Sequence, residues 1–391
     1  MFNPLSLLKK KNANENFITI DVGSSSIKVC KFSFLPDKRV LLENITTAEV
    51  PENAVKFGRL QDINSFIAPL RSLNLKGENA IFGLSGESVF GFATTAKVKR
   101  QNPHEKVNNN ELNTIIKQIQ ELAVMEANQI QAHKLSRSQN EIELVNSGII
   151  SAKMDGKLIS EIVGSSGIYI EIGLYTSFAE IKTLSNLQEL SKKLKINFIA
   201  ATSQMYALTK VLSIKQGQNL NCVLIDFGGD KTDIGICFGG GIVSTKTLDF
   251  GSTIITEKIS KELKIPLHDA EAKKISFEEG TIDAERIKEI INKALNSWLL
   301  GIESAFENFE GIKVFPPKIY ILGGGALIYN LTKVVGESPW YQNFAFKTQP
   351  EIELVNFEKT STIIEDPNNF LKDSRNIIPA SIGVVGMEIL K

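Results

Sequence analysis

The chain has 391 residues, of which 42% are hydrophobic, and it carries 44 basic and 44 acidic side chains. This length can bury large cores and accommodate two or more subdomains, and the balanced charge argues against nucleic acid as a general partner. No apolar stretch is long enough to span a membrane and the start lacks a signal peptide, so we expect a cytoplasmic protein.

Three cysteines, Cys30, Cys222 and Cys237, lie inside apolar runs and show no spacing typical of a zinc site. We therefore expect buried, reduced thiols. The first 16 residues are expected to form a flexible tail, in which Phe2 and nearby leucines stand beside three lysines. That pattern can rest on an anionic bilayer, and the alternative is a disordered tail in which Pro4 opposes a helix.

Residues 17–34 form the first hairpin signal, an apolar run that ends in Asp-x-Gly, then a serine turn and a second run. Backbone N–H groups and small hydroxyl side chains suit phosphate oxygens, and carboxylates hold a metal ion through water. Asp21 and Gly23 end the first run, Lys28 is placed to reach a phosphate, and the turn between them supplies Ser24, Ser25 and Ser26.

Residues 111–128 have the apolar spacing of an amphipathic helix, and residues 141–182 are typical of short strands separated by turns. Together they predict a small inserted α+β subdomain. Residues 186–213 are predicted to be helical. Within them Gln204 is a candidate for positioning an attacking water, although a surface glutamine fits the sequence equally well.

Residues 221–238 repeat the plan of the first hairpin about 200 residues later, which predicts a duplicated fold. Asp226 ends a run, Gly228 and Gly229 form a turn, and Thr232 and Asp233 follow, next to the expected metal. One Asp-x-Gly alone would be weak evidence, because many ordinary turns contain it. The pair favours a site in which Asp21, Asp226 and Asp233 hold Mg²⁺ through water.

Helices are predicted at 252–264 and 281–309, a strand at 318–322, and a closing helix at 377–391. Glu271 and Lys274, three residues apart, share one helix face and are candidates for ribose and base contacts; the alternative is a surface ion pair. The strand runs directly into a glycine triplet that lets a base approach the backbone, unless it is only a flexible turn. The triplet consists of Gly323, Gly324 and Gly325.

The order of the two hairpin motifs and the glycine triplet resembles the phosphate 1, phosphate 2 and adenosine motifs of actin-like ATPases. Residues 248–263, followed by Ala270, Glu271, Lys274 and Gly280, resemble the helical segment after phosphate 2 in FtsA. The segment 154–164 resembles the 1C (SHS2) insertion of the FtsA/PilM family. The resemblance covers nearly the whole chain.

This resemblance implies an α/β protein with the duplicated, ribonuclease H-like fold of actin and an inserted α+β SHS2 subdomain. It implies ATP and Mg²⁺ as ligands, at most slow ATP hydrolysis, possible self-association and a peripheral place at the inner face of the cell membrane. The domains expected are a tail at 1–16, the first lobe at 17–100 and 186–220, the insertion at 101–185, the second lobe at 221–376 and the closing helix at 377–391.

The resemblance leaves two scaffold roles open. An FtsA-like protein would link an FtsZ-like filament to the membrane in cell division, and a PilM-like protein would bind a PilN-like cytoplasmic peptide in type IV pilus assembly. The phosphate 2 region favours the first role and the short N-terminal segment favours the second. A small-molecule kinase of the same superfamily would need a catalytic aspartate base, and the sequence offers no convincing candidate.

Two features depart from the family pattern. Asp230 and Lys231 replace the usual glycine and threonine of phosphate 2, and an extra carboxylate there would repel phosphates unless Lys231 or metal offsets it. The chain ends at Lys391, directly after the closing helix, without the linker and amphipathic helix usual in FtsA. We therefore expect membrane contact through a partner or the N-terminus.

Overall fold

The computed structural model describes residues 16–51, 54–135, 141–277, 280, 283–356 and 363–390. The predicted N-terminal tail, with its apolar and basic residues, lies outside the described residues except for its last position, 16. Among the helices of the described chain, none combines the length and the apolar character needed to cross a membrane.

A six-stranded sheet organises the first lobe, in the order β11-β6-β1-β2-β3-β17. Its strands are β1 (Phe17–Val22), β2 (Ser26–Phe34), β3 (Val40–Glu49), β6 (Asn79–Leu84), β11 (Asn197–Ser203) and β17 (Ile364–Glu365). The short strands β4 (Val55–Lys56) and β5 (Arg59–Leu60) pair separately. The strands are rich in β-branched and aromatic residues, whose side chains pack well on a pleated surface.

A nine-stranded sheet organises the rest, in the order β16-β15-β12-β13-β14-β7-β10-β8-β9. The strands of the second lobe are β12 (Cys222–Phe227), β13 (Thr232–Phe238), β14 (Gly241–Leu248), β15 (Lys318–Leu322) and β16 (Glu351–Leu354). Those of the insertion are β7 (Val89–Lys99), β8 (Ile142–Met154), β9 (Lys157–Leu158) and β10 (Tyr169–Glu180).

The two sheets share one five-strand plan. In the first, β11, β6 and β1 are parallel, and β1, β2 and β3 are joined as antiparallel neighbours. In the second, β16, β15 and β12 are parallel, and β12, β13 and β14 are antiparallel. Each predicted hairpin therefore occupies the same position in its own half, which confirms the duplicated fold.

Nine α-helices cover the sheets in the described chain: α1 (Ile67–Arg71), α2 (Asn109–Leu135), α3 (Ile181–Leu194), α4 (Gln204–Gln216), α5 (Thr253–Leu263), α6 (Leu267–Ile275), α7 (Ala284–Glu307), α8 (Leu331–Glu337) and α9 (Ile377–Leu390). The predicted apolar face of α7 is buried, and Trp298 stacks on Phe227 of β12 with ring centroids 4.7 Å apart. Apolar burial of this kind is the main favourable term in folding. The three cysteines are buried and free of disulfides, as predicted.

The prediction of continuous helix over 186–213 was wrong in its middle. Helix α3 ends at Leu194, strand β11 follows, and α4 begins at Gln204. The break is made by Lys195, which adopts the left-handed conformation with φ of 60° that glycine usually supplies at a helix end. The apolar run of β11 does not distinguish a buried strand from a helix by periodicity alone.

The insertion folds around α2, whose buried residues Ile115 and Ile119 pack with Ile170 and Ile172 of β10. The predicted short strands between 141 and 182 are in fact two long ones, β8 and β10, and the predicted turn at Asp155–Gly156 separates β8 from β9. Strand β7 pairs with β10 in the same sheet and ends at Lys99, just before the boundary predicted at 101.

The closing helix α9 is buried along most of its length, as predicted, and packs against α4 and the first sheet. A Cβ at Gly383 would lie 2.5 Å from the ring of Phe32, and one at Gly386 would lie 2.5 Å from the ring of Phe17. Glycine at these positions therefore lets α9 approach the sheet closely. The Thr19 hydroxyl also donates a hydrogen bond of 3.0 Å to the Pro379 carbonyl.

Candidate functional site

The two hairpins form turns of the same kind. In the first, the Gly23 N–H donates to the Ser26 carbonyl at 3.1 Å, and in the second, the Gly228 N–H donates to the Lys231 carbonyl at 2.9 Å. Asp21 stands opposite Lys28 in the first ladder, and Asp226 stands opposite Asp233 in the second. The sequence repeat thus produces the same local structure twice.

The two turns meet. The Asp230 N–H donates to the Ser24 hydroxyl at 3.1 Å, which joins the second turn to the first. A Cβ at Gly229 would lie 2.3 Å from the Ser25 Oγ and 2.6 Å from the Ser24 Oγ, so only glycine fits there without displacing a hydroxyl. The predicted donors of both halves, with Ser26 beside them on β2, therefore come together in one place, which is the arrangement that a polyphosphate requires.

Asp21 and Gln204 form a direct contact at the edge of this place. The Gln204 Nε2 donates to the Asp21 Oδ1 at 2.5 Å. Burial raises the pKa of Asp21, while the charges of Lys28 and Lys231 and the bond from Gln204 oppose that rise. Gln204 is only 5% exposed, so the surface alternative was wrong. It lies at the start of α4 and lines a cleft with Ser85, Asp226 and other residues of both halves.

Asp226 is a buried carboxylate at the end of β12, and among the described residues none donates a hydrogen bond to it. Burial raises the pKa of Asp226 to about 7; attraction to Lys231 opposes the shift, and repulsion from Asp233 and Asp21 adds to it. Its charge is therefore poorly compensated, and a cationic ligand group or a hydrogen-bond donor would stabilise it.

Asp233, predicted to hold the metal through water, has both carboxylate oxygens engaged by the protein. Its Oδ2 accepts from the Lys231 ammonium at 2.5 Å, its Oδ1 accepts from the Thr247 hydroxyl at 2.6 Å, and the Gly86 N–H contacts both oxygens at 3.0 and 3.1 Å. Burial alone would lower the pKa of Lys231, but Asp233 and Asp226 raise it above its ordinary value. The carboxylate is thus already saturated by protein donors.

These contacts test whether the residues fit the expected Mg²⁺ site. Magnesium prefers oxygen ligands in octahedral geometry and keeps several waters. In the described chain no group of three or more His, Cys, Asp or Glu side chains is arranged to hold a metal ion directly. With both Asp233 oxygens engaged by protein donors, including the Lys231 ammonium at 2.5 Å, direct ligation by Asp233 does not fit the ion. Contact of Asp21, Asp226 and Asp233 with Mg²⁺ through water stays a prediction.

Asp230 also departs from expectation, because it does not direct its charge at the phosphate position. Its Oδ2 accepts from the Phe57 N–H at 2.5 Å, which connects the second turn to the β4–β5 loop of the first lobe. Lys28 is likewise engaged: its ammonium donates to the Arg375 carbonyl at 2.5 Å, just before α9. Burial lowers the pKa of Lys28, and the charge of Asp21 opposes that shift.

Thr232 lies deeper than predicted. Its hydroxyl donates to the Phe250 carbonyl at 2.6 Å and accepts from the Trp298 indole N–H at 2.9 Å. The residue is fully buried beside α7. Its hydroxyl therefore fixes the second turn from behind, and its role beside a phosphate stays a prediction.

The glycine triplet follows β15 and packs on the end of β12. A Cβ at Gly323 would lie 2.3 Å from the Asp226 Oδ1, and one at Gly325 would lie 2.6 Å from the Phe227 ring. Gly323 also has φ of 89°, which other residues rarely adopt. Gly324 is different, since no atom lies within 4 Å of a Cβ built there. Open space thus adjoins the triplet beside Asp226.

Glu271 and Lys274 form an ion pair of 2.8 Å on α6, and both contact the Thr256 hydroxyl of α5. Lys274 is nearly buried and also donates to the Ser252 carbonyl at 3.2 Å, while Glu271 is 44% exposed. Burial lowers the pKa of Lys274 against the effect of Glu271. Because the Ser252 N–H donates to the Gly228 carbonyl at 2.9 Å, this pair is connected to the second turn.

Gly86 is a site residue that the sequence analysis missed. It follows β6, the counterpart of β15, so it occupies in the first half the position that the glycine triplet has in the second. It has φ of 64°, and a Cβ there would lie 2.4 Å from the Phe57 carbonyl oxygen and 2.5 Å from the Lys231 Cδ. The sequence signal that could have identified Gly86 is a glycine soon after the apolar run 80–84.

Comparison with known proteins agrees with this geometry. A family model described as cell division protein FtsA matches residues 223–369, which include the second turn and the glycine triplet. The chain is similar to cell division protein FtsA of Bacillus subtilis (strain 168), with 24% identity over 270 residues that make up 66% of this chain and 57% of that protein. It is also similar to cell division protein FtsA of Neisseria meningitidis serogroup B (strain ATCC BAA-335 / MC58), with 26% identity over 133 residues, or 34% of this chain and 32% of that protein.

Among solved structures, the chain is similar to a protein of the PilM-PilN type IV pilus biogenesis complex. The TM-score is 0.66 at 15% sequence identity, and the match covers 95% of this chain and 98% of that one. This likeness concerns the fold and confirms the predicted actin-like α/β architecture. The matches to the two FtsA proteins span only about a third and just over half of the length of those relatives.

Proposed function

We propose, on the premise that the chain belongs to the FtsA/PilM group of actin-like proteins, that it is an ATP-binding scaffold. One observation carries the proposal. The turns of the two hairpins, which have the same local structure, meet and present N–H and hydroxyl groups to one place. Groups of this kind bind phosphate oxygens because their positive ends point at the anion. The ATP phosphates would lie between the turns.

The proposed roles follow from position. Ser24, Ser25 and Ser26 of the first turn and Gly229 of the second would donate to phosphate oxygens, with Lys28 and Asp21 at the rim. Gly23 and Gly228 would act by closing the two turns through their own N–H groups. Adenosine would extend from there over Gly323, Gly324 and Gly325, beside Asp226. The exposed carboxylate of Glu271 is available to ribose hydroxyls, while Lys274 would hold it in place.

Hydrolysis is expected to be slow at most. We propose Gln204 as the residue that positions an attacking water, because its amide is held by Asp21 at the edge of the cleft between the halves. A glutamine can orient water by hydrogen bonds but does not remove its proton, since its side chain does not titrate. Bound ATP would therefore serve mainly to set the arrangement of the two lobes.

A substitution at Gly324 tests the site without disturbing the fold. The Gly324→Val side chain would project into open space where we place adenosine, so it should block ATP while leaving the core intact. In a thermal-shift experiment, ATP should raise the melting temperature of the natural protein, because a ligand that binds only the folded state stabilises it. The variant should melt near the natural temperature and show no ATP-dependent rise.

Gly336→Ala is the matched control, because Gly336 lies on α8 of the same lobe and its new Cβ would meet only the Ile352 Cδ1 at 3.7 Å. This variant should keep the full ATP response and gain slightly in stability from helix propensity. A natural protein that shows no response to saturating ATP, or a Gly324→Val variant that responds like it, would contradict the proposed site.

For the cellular role, we propose an FtsA-like scaffold at the inner face of the cell membrane that links an FtsZ-like filament in cell division. The FtsA matches in sequence support this role. The alternative is a PilM-like protein that binds the cytoplasmic segment of a PilN-like membrane partner, and the fold match over nearly the whole chain favours it. Co-sedimentation with FtsZ filaments, beside binding of a PilN cytoplasmic peptide, distinguishes the two roles.

A further inference from the structure

Lys231 is a buried ammonium group among three carboxylates. Its Nζ lies 2.5 Å from the Asp233 Oδ2, and both side chains are less than a tenth exposed. Its charge also acts on Asp226 and on Asp21, which ends the equivalent strand of the other half. The Lys231 charge compensates the Asp233 carboxylate directly and offsets part of the repulsion that Asp226 receives from Asp233 and Asp21.

A divalent metal bound directly to Asp233 would have to displace this lysine. Both oxygens of Asp233 already accept hydrogen bonds from protein donors, including the Thr247 hydroxyl at 2.6 Å. A metal ion bound to Asp233 would lie close to the ammonium group that stands 2.5 Å from its Oδ2, and the two cations would repel each other.

The aliphatic part of the Lys231 side chain is also held in place. Its Cδ and Cε would lie 2.5 and 2.7 Å from a Cβ at Gly86, so the aliphatic chain packs directly on the backbone of that glycine. Its own carbonyl closes the second turn by accepting from the Gly228 N–H. The ammonium group therefore reaches the carboxylates as part of the turn that we assign to the phosphates.

We propose that the Lys231 ammonium group takes the place of the divalent metal in this site, so that a nucleoside triphosphate binds without Mg²⁺. The inference rests on the proposed function, since it concerns the same phosphate position. An ammonium group supplies one positive charge and three donors, and Asp233 uses one of them. A phosphate could take the others, while the charge also acts on Asp226. The turn donors of both halves supply the remaining contacts.

The test compares ATP binding to the natural full-length protein by titration calorimetry in excess MgCl₂ and in excess EDTA. The two dissociation constants should agree within about threefold, a difference below 1 kcal/mol. In Lys231→Thr, affinity in EDTA should fall by at least about tenfold and should recover when Mg²⁺ is added, because Asp233 and Asp226 are then open to the ion. The exposed Lys192→Thr on α3 serves as the matched control and should behave like the natural protein.

The outcomes separate the two proposals. ATP binding to the natural protein only with Mg²⁺ would overturn the role of Lys231 and leave the proposed function intact. No binding in either buffer would contradict the proposed function itself. Should Lys231→Thr not fold, Lys231→Met keeps the aliphatic stem on Gly86 and removes only the charge. Equal loss of affinity in both buffers for Lys231→Met would assign the lysine a purely structural role and contradict the inference.

Discussion

The surroundings of Asp226 change the pKa of its carboxyl group. Burial raises the pKa of this carboxyl from its ordinary value of 3.8 to about 7. Lys231 and Lys28 favour its ionised form, and Asp233 and Asp21 oppose it. Because the folded chain binds this proton more tightly than the unfolded chain does, the stability contributed by the group is fully present below about pH 4 and is lost as the pH rises through 7.

The substitution Asp226→Asn keeps the size of the side chain and removes this titration. We expect the variant to be more stable than the natural protein at pH 8, by on the order of 2–4 kcal/mol, because each unit of pKa difference corresponds to about 1.4 kcal/mol. The difference should vanish towards pH 4. Urea unfolding at a series of pH values measures it.

Glu310→Gln is a suitable control for this series, because Glu310 is exposed and its replacement should produce no such trend with pH. Lower stability of Asp226→Asn than of the natural protein at pH 8 would contradict the account, since it would mean that the ionised carboxylate is stabilised by contacts in the folded state.

Single residues of the site could be predicted from the sequence where the signal was local. Asp-x-Gly after an apolar run specifies a strand end and a tight turn, so the positions of Gly23 and Gly228 followed from the sequence. The contacts of Lys231 could not be predicted, because its partner Gly86 lies 145 positions away and is brought there only by the fold. The same holds for Asp230, which binds the Phe57 N–H.

At the scale of elements, α4 and α9 begin beside the site and pack on each other behind it. Gln204 begins α4, and Arg375, which contacts Lys28, precedes α9 by two residues. The helices therefore connect the proposed nucleotide position with the core of the first lobe. The packing of α9 on the first sheet depends on its glycines, which lie against phenylalanine rings of β1 and β2.

Gly383→Val tests this packing. Its Cβ would meet three atoms of the Phe32 ring between 2.5 and 2.8 Å away, closer than real contacts allow. Overpacking of this kind typically costs about 1–3 kcal/mol, so the midpoint of urea unfolding should fall. Phe32→Leu made together with Gly383→Val should cost less than the sum of the two single changes, because the pair share one contact. Simple additivity would contradict the packing described.

The extent of the helices and strands was predictable where periodicity and end signals agreed. Strand β15 was predicted to the residue and helix α7 to within three residues at each end. A short apolar run and a 3.6-residue apolar pattern, respectively, marked these elements in the sequence. Strand β11 was missed for two reasons. Lys195 ends α3 in a left-handed conformation that glycine usually adopts, so the sequence carries no glycine to mark the helix end. In addition, no glycine or proline separates β11 from α4.

At the scale of the whole molecule, the two halves are joined through the site itself. The Phe57 and Gly86 N–H groups of the first half donate to Asp230 and Asp233 of the second. The sheet of the insertion continues that of the second lobe, through the pair of Ser244 on β14 and Phe92 on β7. The duplication could be predicted from the sequence. The pairing of β14 with β7 could not, because it joins distant segments and leaves no local signal. A ligand that fills the space between the turns would act on both halves at once.

Photolabelling with 8-azido-ATP, followed by peptide mapping, tests the nucleotide site most directly. In the proposed site, the adenine ring of bound ATP would lie over the glycine triplet and beside α6. Labelling should therefore concentrate in the peptides that contain Gly324 and Glu271, and an excess of unlabelled ATP should suppress it. Two results would contradict an actin-like nucleotide site in this chain. In the first, unlabelled ATP suppresses labelling only in the insertion or in the first lobe. In the second, unlabelled ATP suppresses labelling nowhere.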